Sequence, residues 1–353
     1  MLYRAFCLVL LSVSTLALSP PASRTSPPAG AKIVRAGTST SGEYSTFAAA
    51  VAALPNDSSS QTIFIYPGTY TGQVNIQRSG PVTVLGYSTN PGAYSANQVT
   101  LTASVGADTA GSNDASGTLR IHTNSVSIYN VNIRNGRGAG TQAIALSNYG
   151  DHVGLYACQL VGYQDTLLTN QGKHVYLQSY IEGTTDFIFG QLSQAYFEGN
   201  TIAVSGTGWI TASGRASADA GIYLFSQNKV VLASSAPSGT KTYFGRPWRS
   251  KNFGLDCCIF ETLIFVTDYA RVIFKSTTVT APLQTSLWSI WNTGDERTDH
   301  VTYGDYATSG SGVSSSASRP SWAPLLSSSA AAAYTLSSAL GGDTAWIDKN
   351  YLI

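Results

Sequence analysis

The sequence predicts an all-β chain wound as a single right-handed parallel β-helix, a solenoid, with a short capping helix at its N-terminal end. Three observations lead to this fold. From Thr62 onward, short β-branched and aromatic runs are punctuated by Asn- and Gly-rich corners. One run of alternating apolar residues recurs as Val126-Ser-Ile128-Tyr-Asn130, Val153-Gly-Leu155-Tyr-Ala157, Val175-Tyr-Leu177-Gln-Ser179 and Ala195-Tyr-Phe197-Glu-Gly199, its starts 27, 22 and 20 residues apart. A repeat of that length without a helical period marks coils that bury their apolar faces only against their neighbours. The tight two-residue hairpin turns that favour the alternative, a β-sandwich, are scarce.

The elements follow in chain order. Residues 1–4 form a short n-region, 5–18 an apolar run and 19–30 a Ser/Pro/Ala-rich stretch, the layout of a signal peptide. Residues 1–23 are expected to be removed, with Ser23 a candidate cleavage point, leaving 24–353 as one domain. The apolar run is too short to span a bilayer, so the mature chain is expected outside the cell with no membrane partner. Residues 46–54 read as a helix, with Phe47 and the alanines on one side, suited to cap the first coil. The Ser-, Ala- and Pro-rich stretch 309–333 reads as loop or surface-wrapping chain, with a short Ala/Leu helix near 329–340.

Composition excludes several classes. A net charge of +1, with 11% charged residues, lacks the basic footprint of a nucleic-acid binder. Of four cysteines, Cys7 lies in the leader, Cys257 and Cys258 are adjacent and Cys158 stands alone, so no disulfide framework is expected. No CxxC or HExxH spacing offers a zinc site. One glycosylation sequon, Asn56-Asp57-Ser58, falls in a polar, turn-like stretch.

Stacked coils place residues one repeat apart above one another, about 4.8 Å apart. Gln142 and Gln164 are 22 residues apart, and Asp165 and Asp186 are 21 apart, so the four fall on corresponding positions of three successive coils. Two carboxylates that close on a partly apolar surface cannot titrate alike. Repulsion and desolvation raise one pKa, while a bonded cation keeps the other ionised. One acid and one nucleophile is the division of labour that ester cleavage needs. A lone aspartate at a coil corner is more often a turn cap; a Gln-Asp pair followed by a second Asp one coil later points to function.

These residues carry a family resemblance. Tyr163-Gln164-Asp165-Thr166-Leu167, Asp186-Phe187-Ile188-Phe189-Gly190 and Gly245-Arg246-Pro247-Trp248 resemble the signatures of pectin methylesterases, fungal members in particular, and Gln142-Ala143-Ile144-Ala145-Leu146 is similar to a further family motif. The resemblance runs in order from about Gly68 to Tyr306. It implies hydrolysis of galacturonate methyl esters in pectin, with Asp186 as nucleophile and Asp165 as acid and then base. It implies Gln142 and Gln164 as oxyanion donors and Arg246 as the cation that orients Asp186. Phe189, Trp248 and Trp288 would line the sugar cleft, a core role being the alternative for Trp288. The implied partner is methylated homogalacturonan, and a monomer without cofactor or metal is expected.

Some positions depart from the family pattern. Gly72 stands where glutamate is usual, Ser213 where glutamine is usual, and Asp305 replaces a glutamate. The largest departure is an insert at 250–268 between Arg249 and Tyr269-Ala-Arg-Val272, which contains both Cys257 and Cys258. A functional loop is one reading. A retained intron is the favoured one. Ser250-Lys251 can be encoded by AGT-AAG, which holds a GTAAG donor, and Thr267-Asp268 by ACA-GAC, which holds a CAG acceptor. Splicing there keeps the frame and leaves one asparagine.

Rival functions stay open at this point. A polygalacturonase or pectate lyase would share the fold, a serine esterase would need a Gly-x-Ser-x-Gly elbow that is absent, and a noncatalytic coil would only bind polysaccharide.

Overall fold

The computed structural model describes residues 19–248 and 269–353. Most of the expected leader and the 250–268 insert lie outside the described residues. Every ladder between named strands is parallel, as winding in one direction requires. One sheet of eleven strands runs from Glu43–Tyr44 to Thr302–Tyr306. The remaining thirteen form two further faces, joined where Tyr180–Gly190 and Thr201–Ser213 run unbroken around the corner between them. The chain is a right-handed parallel β-helix, as the repeat predicted.

The interior is filled by like residues stacked coil on coil. Tyr176, Phe197, Phe225 and Phe274 form a ladder with ring centroids 4.7, 4.3 and 4.2 Å apart and planes within 11°. Each ring removes a large apolar area from water and stacks on the next, which fixes the strand register. One corner of seven successive coils turns through a single residue of positive φ: Asn130, Ala157, Gln178, Gly199, Gln227, Ser276 and Ala307 form this column. Beside it Asn200 donates to Asn228 at 3.0 Å, both fully buried, so the bend's polar groups are paired inside.

The structure shifts one part of the repeat. Val126 and Val153 are in register, but Leu155 pairs with Tyr176, so Val175 and Leu177 face outward and Tyr176 faces in. The reason is that this sheet is apolar on both faces. The C-terminal chain covers the outer one, packing Leu340, Ile347 and Tyr351 on Tyr156, Val175, Leu177 and Ile273. Alternation therefore cannot tell inside from outside here. That tail holds two short helices, Ser328–Ala332 and Leu336–Ala339, where the sequence predicted one.

At the other end, the predicted capping helix forms over Phe47–Ala52. The Thr46 hydroxyl accepts from the Ala49 amide, and Phe47 and Ala50 seal the first coil. Asp305, the replacement for glutamate, is buried in a bidentate pair with Arg319. Among the described residues no helix is long and apolar enough to cross a membrane.

Candidate active site

The site lies where one face turns into the next. Leu146–Asn148, Leu167–Thr169, the second halves of Tyr180–Gly190 and Thr201–Ser213, and Thr242–Pro247 run side by side, with Leu146 opposite Leu167, Leu167 opposite Ile188, Phe189 opposite Ala212 and Ala212 opposite Arg246. The Ala143 amide bonds the Gln164 carbonyl at 3.1 Å, and the Asp165 amide bonds the Thr185 carbonyl at 3.0 Å. This register stacks Gln164 on Gln142 and Asp186 on Asp165, as the spacing predicted. Both aspartates have positive φ, 64° and 51°. An extended residue would keep its side chain in the sheet's alternation; this local bend swings both carboxyls toward one cavity.

That cavity, about 250 Å³, is lined by Gln142, Gln164, Asp165, Asp186, Phe189 and Arg246, with Asn113, Ala212, Trp248 and Trp291. Asp165 is 6% exposed and Asp186 is 7% exposed. Of the two aspartates Arg246 clasps Asp186: Nε donates to Oδ1 at 3.0 Å and Nη2 to Oδ2 at 2.7 Å. Such a fork is the strongest arrangement available to a carboxylate and a guanidinium. Burial pushes the Asp186 carboxyl above its usual range, and the bonds from Arg246 oppose that rise. Asp165 is pushed well above its usual range, first by burial and then by the charge of Asp186. Asp165 is thus the more strongly raised of the two carboxyls, and the arginine favours the ionised form of Asp186.

A wider cleft of about 690 Å³ adjoins the cavity and shares Asn113, Phe189, Trp248 and Trp291 with it. Its floor is a small apolar cluster of Ile144, Leu168, Phe189 and Ala212 against Tyr149 and Trp248. Trp248 meets Phe189 edge-on at 5.8 Å. Trp288 is not in the cleft. It is 1% exposed and packs inside the coil against Phe244, Phe274 and Tyr303, at 5.4, 5.9 and 5.0 Å, where an isolated bridge pairs it with Gly245. The aromatic at this edge is Trp291, three residues on, which sequence reasoning missed. It lies 4.0 Å from the Arg246 guanidinium, and Trp209 lies 3.7 Å away. The only signal for Trp291 was a second tryptophan in Trp288-Ser-Ile-Trp291.

The family model described as Pectinesterase matches residues 33–264. The chain belongs to the pectinesterase family. A pectinesterase of Aspergillus aculeatus is 37% identical over 352 residues, with 97% of each chain covered. The crystal structure of pectin methylesterase from Aspergillus niger superposes with a TM-score of 0.80 at 33% identity, covering 93% of this chain and 100% of that one. Pectin methylesterase from carrot gives a TM-score of 0.74 at 25% identity over 90% of this chain and 95% of that one. The chain is accordingly a carboxylic ester hydrolase of fungal-like type.

Proposed function

We propose that this pectinesterase-family chain hydrolyses the methyl esters of galacturonate residues in pectin, with Asp186 as nucleophile and Asp165 as general acid and base. One observation carries the reading: two neighbouring buried aspartates share a cavity, and of the two it is Asp186 that Arg246 bonds.

Asp186 attacks the ester carbonyl carbon, and the carbonyl oxygen becomes an oxyanion. The amides of Gln142 and Gln164 donate to it; a single donor of this kind is worth about 100- to 1000-fold in rate. Asp165 gives its proton to the departing methoxy oxygen, which leaves as methanol. The remaining acyl-enzyme is an anhydride on Asp186. Asp165, now a carboxylate, takes a proton from water, and the resulting hydroxide displaces Asp186. The product leaves as the galacturonic acid carboxyl, which gives its proton to solvent, and Asp165 is protonated again. Arg246 keeps Asp186 ionised for attack and stabilises it as a leaving group. Phe189 and Trp248 offer apolar faces to the pyranose rings.

The same reading makes residues 1–23 a cleaved leader and the mature enzyme a secreted monomer acting on plant cell-wall pectin without a cofactor. A boundary near residue 23 is supported by Arg24, whose amide and carbonyl exchange bonds with Ser88 at 2.8 and 2.9 Å. Methanol release from methylated pectin, followed with polymer length, tests the reaction. Methanol with unchanged chain length is expected; shortening without methanol would assign a hydrolase or lyase of the backbone.

A further inference from the structure

Arg246 reaches Asp186 from two coils away. Arg246 stands opposite Ala212, and Ala212 opposite Phe189, on the strand that carries Asp186. Two strand spacings are about 9.6 Å, so the side chain must cross the intervening strand. Trp209 lies on that strand, opposite Thr185 on one side and Tyr243 on the other. Its ring runs parallel to Tyr243 at 5.9 Å and within 11°. The guanidinium lies 3.7 Å from the Trp209 ring and 4.0 Å from the Trp291 ring while its edge holds Asp186. The indole N–H of Trp209 is buried without an acceptor among the described residues. An unpaired buried donor is a cost, so what the tryptophan contributes here is its ring face.

We propose that Trp209 and Trp291 form a two-sided clamp that positions Arg246 on Asp186, Trp209 being a positioning residue for the esterase reaction. This rests on the reading of Asp186 as nucleophile. A guanidinium is free to rotate about a long, flexible stem, and only a fixed plane gives the fork to both carboxylate oxygens. Two π faces supply that plane by cation–π attraction. They also cover the guanidinium's faces, leaving its edge for the carboxylate in a low-dielectric site. Other charged or titratable groups lie around it among the described residues. Asp165 lies beyond Asp186 in the cavity, Arg297 stacks on the outer side at 4.5 Å from the Trp291 ring, paired with Asp295, and the Tyr303 hydroxyl donates to the Arg246 carbonyl at 3.1 Å.

The test compares Trp209→Leu, Trp209→Phe and Asp186→Asn for methanol release across pH, with Tm measured for each. Loosening Arg246 raises the Asp186 pKa further. The acid limb of kcat for Trp209→Leu should therefore move up by about half to one pH unit, with KM little changed. Trp209→Phe, which keeps a ring face, should restore the limb. A Trp209→Leu enzyme with lowered Tm but an unmoved acid limb overturns the clamp, as does equal loss in the Phe and Leu variants. If Asp186→Asn still turns over, the nucleophile assignment itself fails and the clamp fails with it. If Asp186→Asn is inert and the limb stays put, only the clamp is wrong.

Discussion

Asp165 and Asp186 are alike in side chain, in burial and in backbone conformation, and only Asp186 carries the arginine fork. That difference has a consequence for stability. A carboxyl whose pKa rises on folding keeps a proton that the unfolded chain releases. Its burial costs nothing below the unfolded value of about 3.9 and costs more as pH climbs from there toward the folded value. Asp165→Asn resembles the protonated form, so it should raise Tm by a few degrees at neutral pH and leave it unchanged at about pH 3. Thermal scans at both pH values check this; a lower Tm at neutral pH would place a charged, well-partnered Asp165 in the fold. The tryptophans divide at the same scale. Trp248→Ala should raise KM for polymeric pectin with Tm nearly unchanged, because it removes a cleft face. Trp288→Ala should cost about 3–5 kcal/mol of stability, because it empties a filled core position. Denaturant melts and kinetics on the two variants separate the roles, and an exchange of these phenotypes would reverse the assignment. The sequence placed Gln142, Gln164, Asp165 and Asp186 together because a solenoid turns spacing into proximity, whereas Arg246 was legible only through the family resemblance of Gly245-Arg246-Pro247-Trp248. It did not separate Trp288 from Trp291, since both fall in a stretch without regular strands, where no alternation says which way a side chain turns.

At the scale of a coil, the register of 175–179 slipped by one residue for a physical reason: the C-terminal tail makes both faces of that sheet apolar. The predicted capping helix was legible because Thr46 supplies an N-cap and the apolar residues fall on one side. The coil next to the insert bears on the intron reading. The Trp248 amide bonds the Ser213 carbonyl at 2.8 Å, and the Tyr269 amide bonds the Arg215 carbonyl at 3.3 Å. Trp248 and Tyr269 thus meet a neighbouring coil at points two residues apart. A short link after Trp248 would close this coil, which supports the proposal that 250–268 is not needed by the fold. Replacing 250–268 by a single asparagine should give a chain of equal or higher Tm with greater methanol release than the full chain. Sequencing the mature transcript across the junction checks the origin of the segment. Message that uniformly encodes Cys257-Cys258 would refute the retained intron, and a collapse in Tm on replacement would make the segment structural.

Over the whole molecule, the coil gathers the aspartate pair at one corner and buries the outer face of its eleven-stranded sheet under the tail. The aromatic ladder from Tyr176 to Phe274 lies on the strands that follow Asp165, Asp186, Ser213 and Arg246 in the chain, so stacking in the core and alignment in the site share one register. Fold and family were legible because that register repeats in the sequence. The clamp on Arg246 was not, since Trp209, Arg246 and Trp291 lie on different coils and no motif joins them. The central claim, that Asp186 is the nucleophile of a pectin methyl esterase, is met most directly by measuring methanol release from methylated pectin by the wild-type enzyme and by Asp186→Asn at matched Tm. The account predicts methanol without polymer shortening from the wild type and at least a thousandfold loss in the variant, a loss of about 4 kcal/mol in transition-state stabilisation. Near-normal methanol release by Asp186→Asn would contradict it.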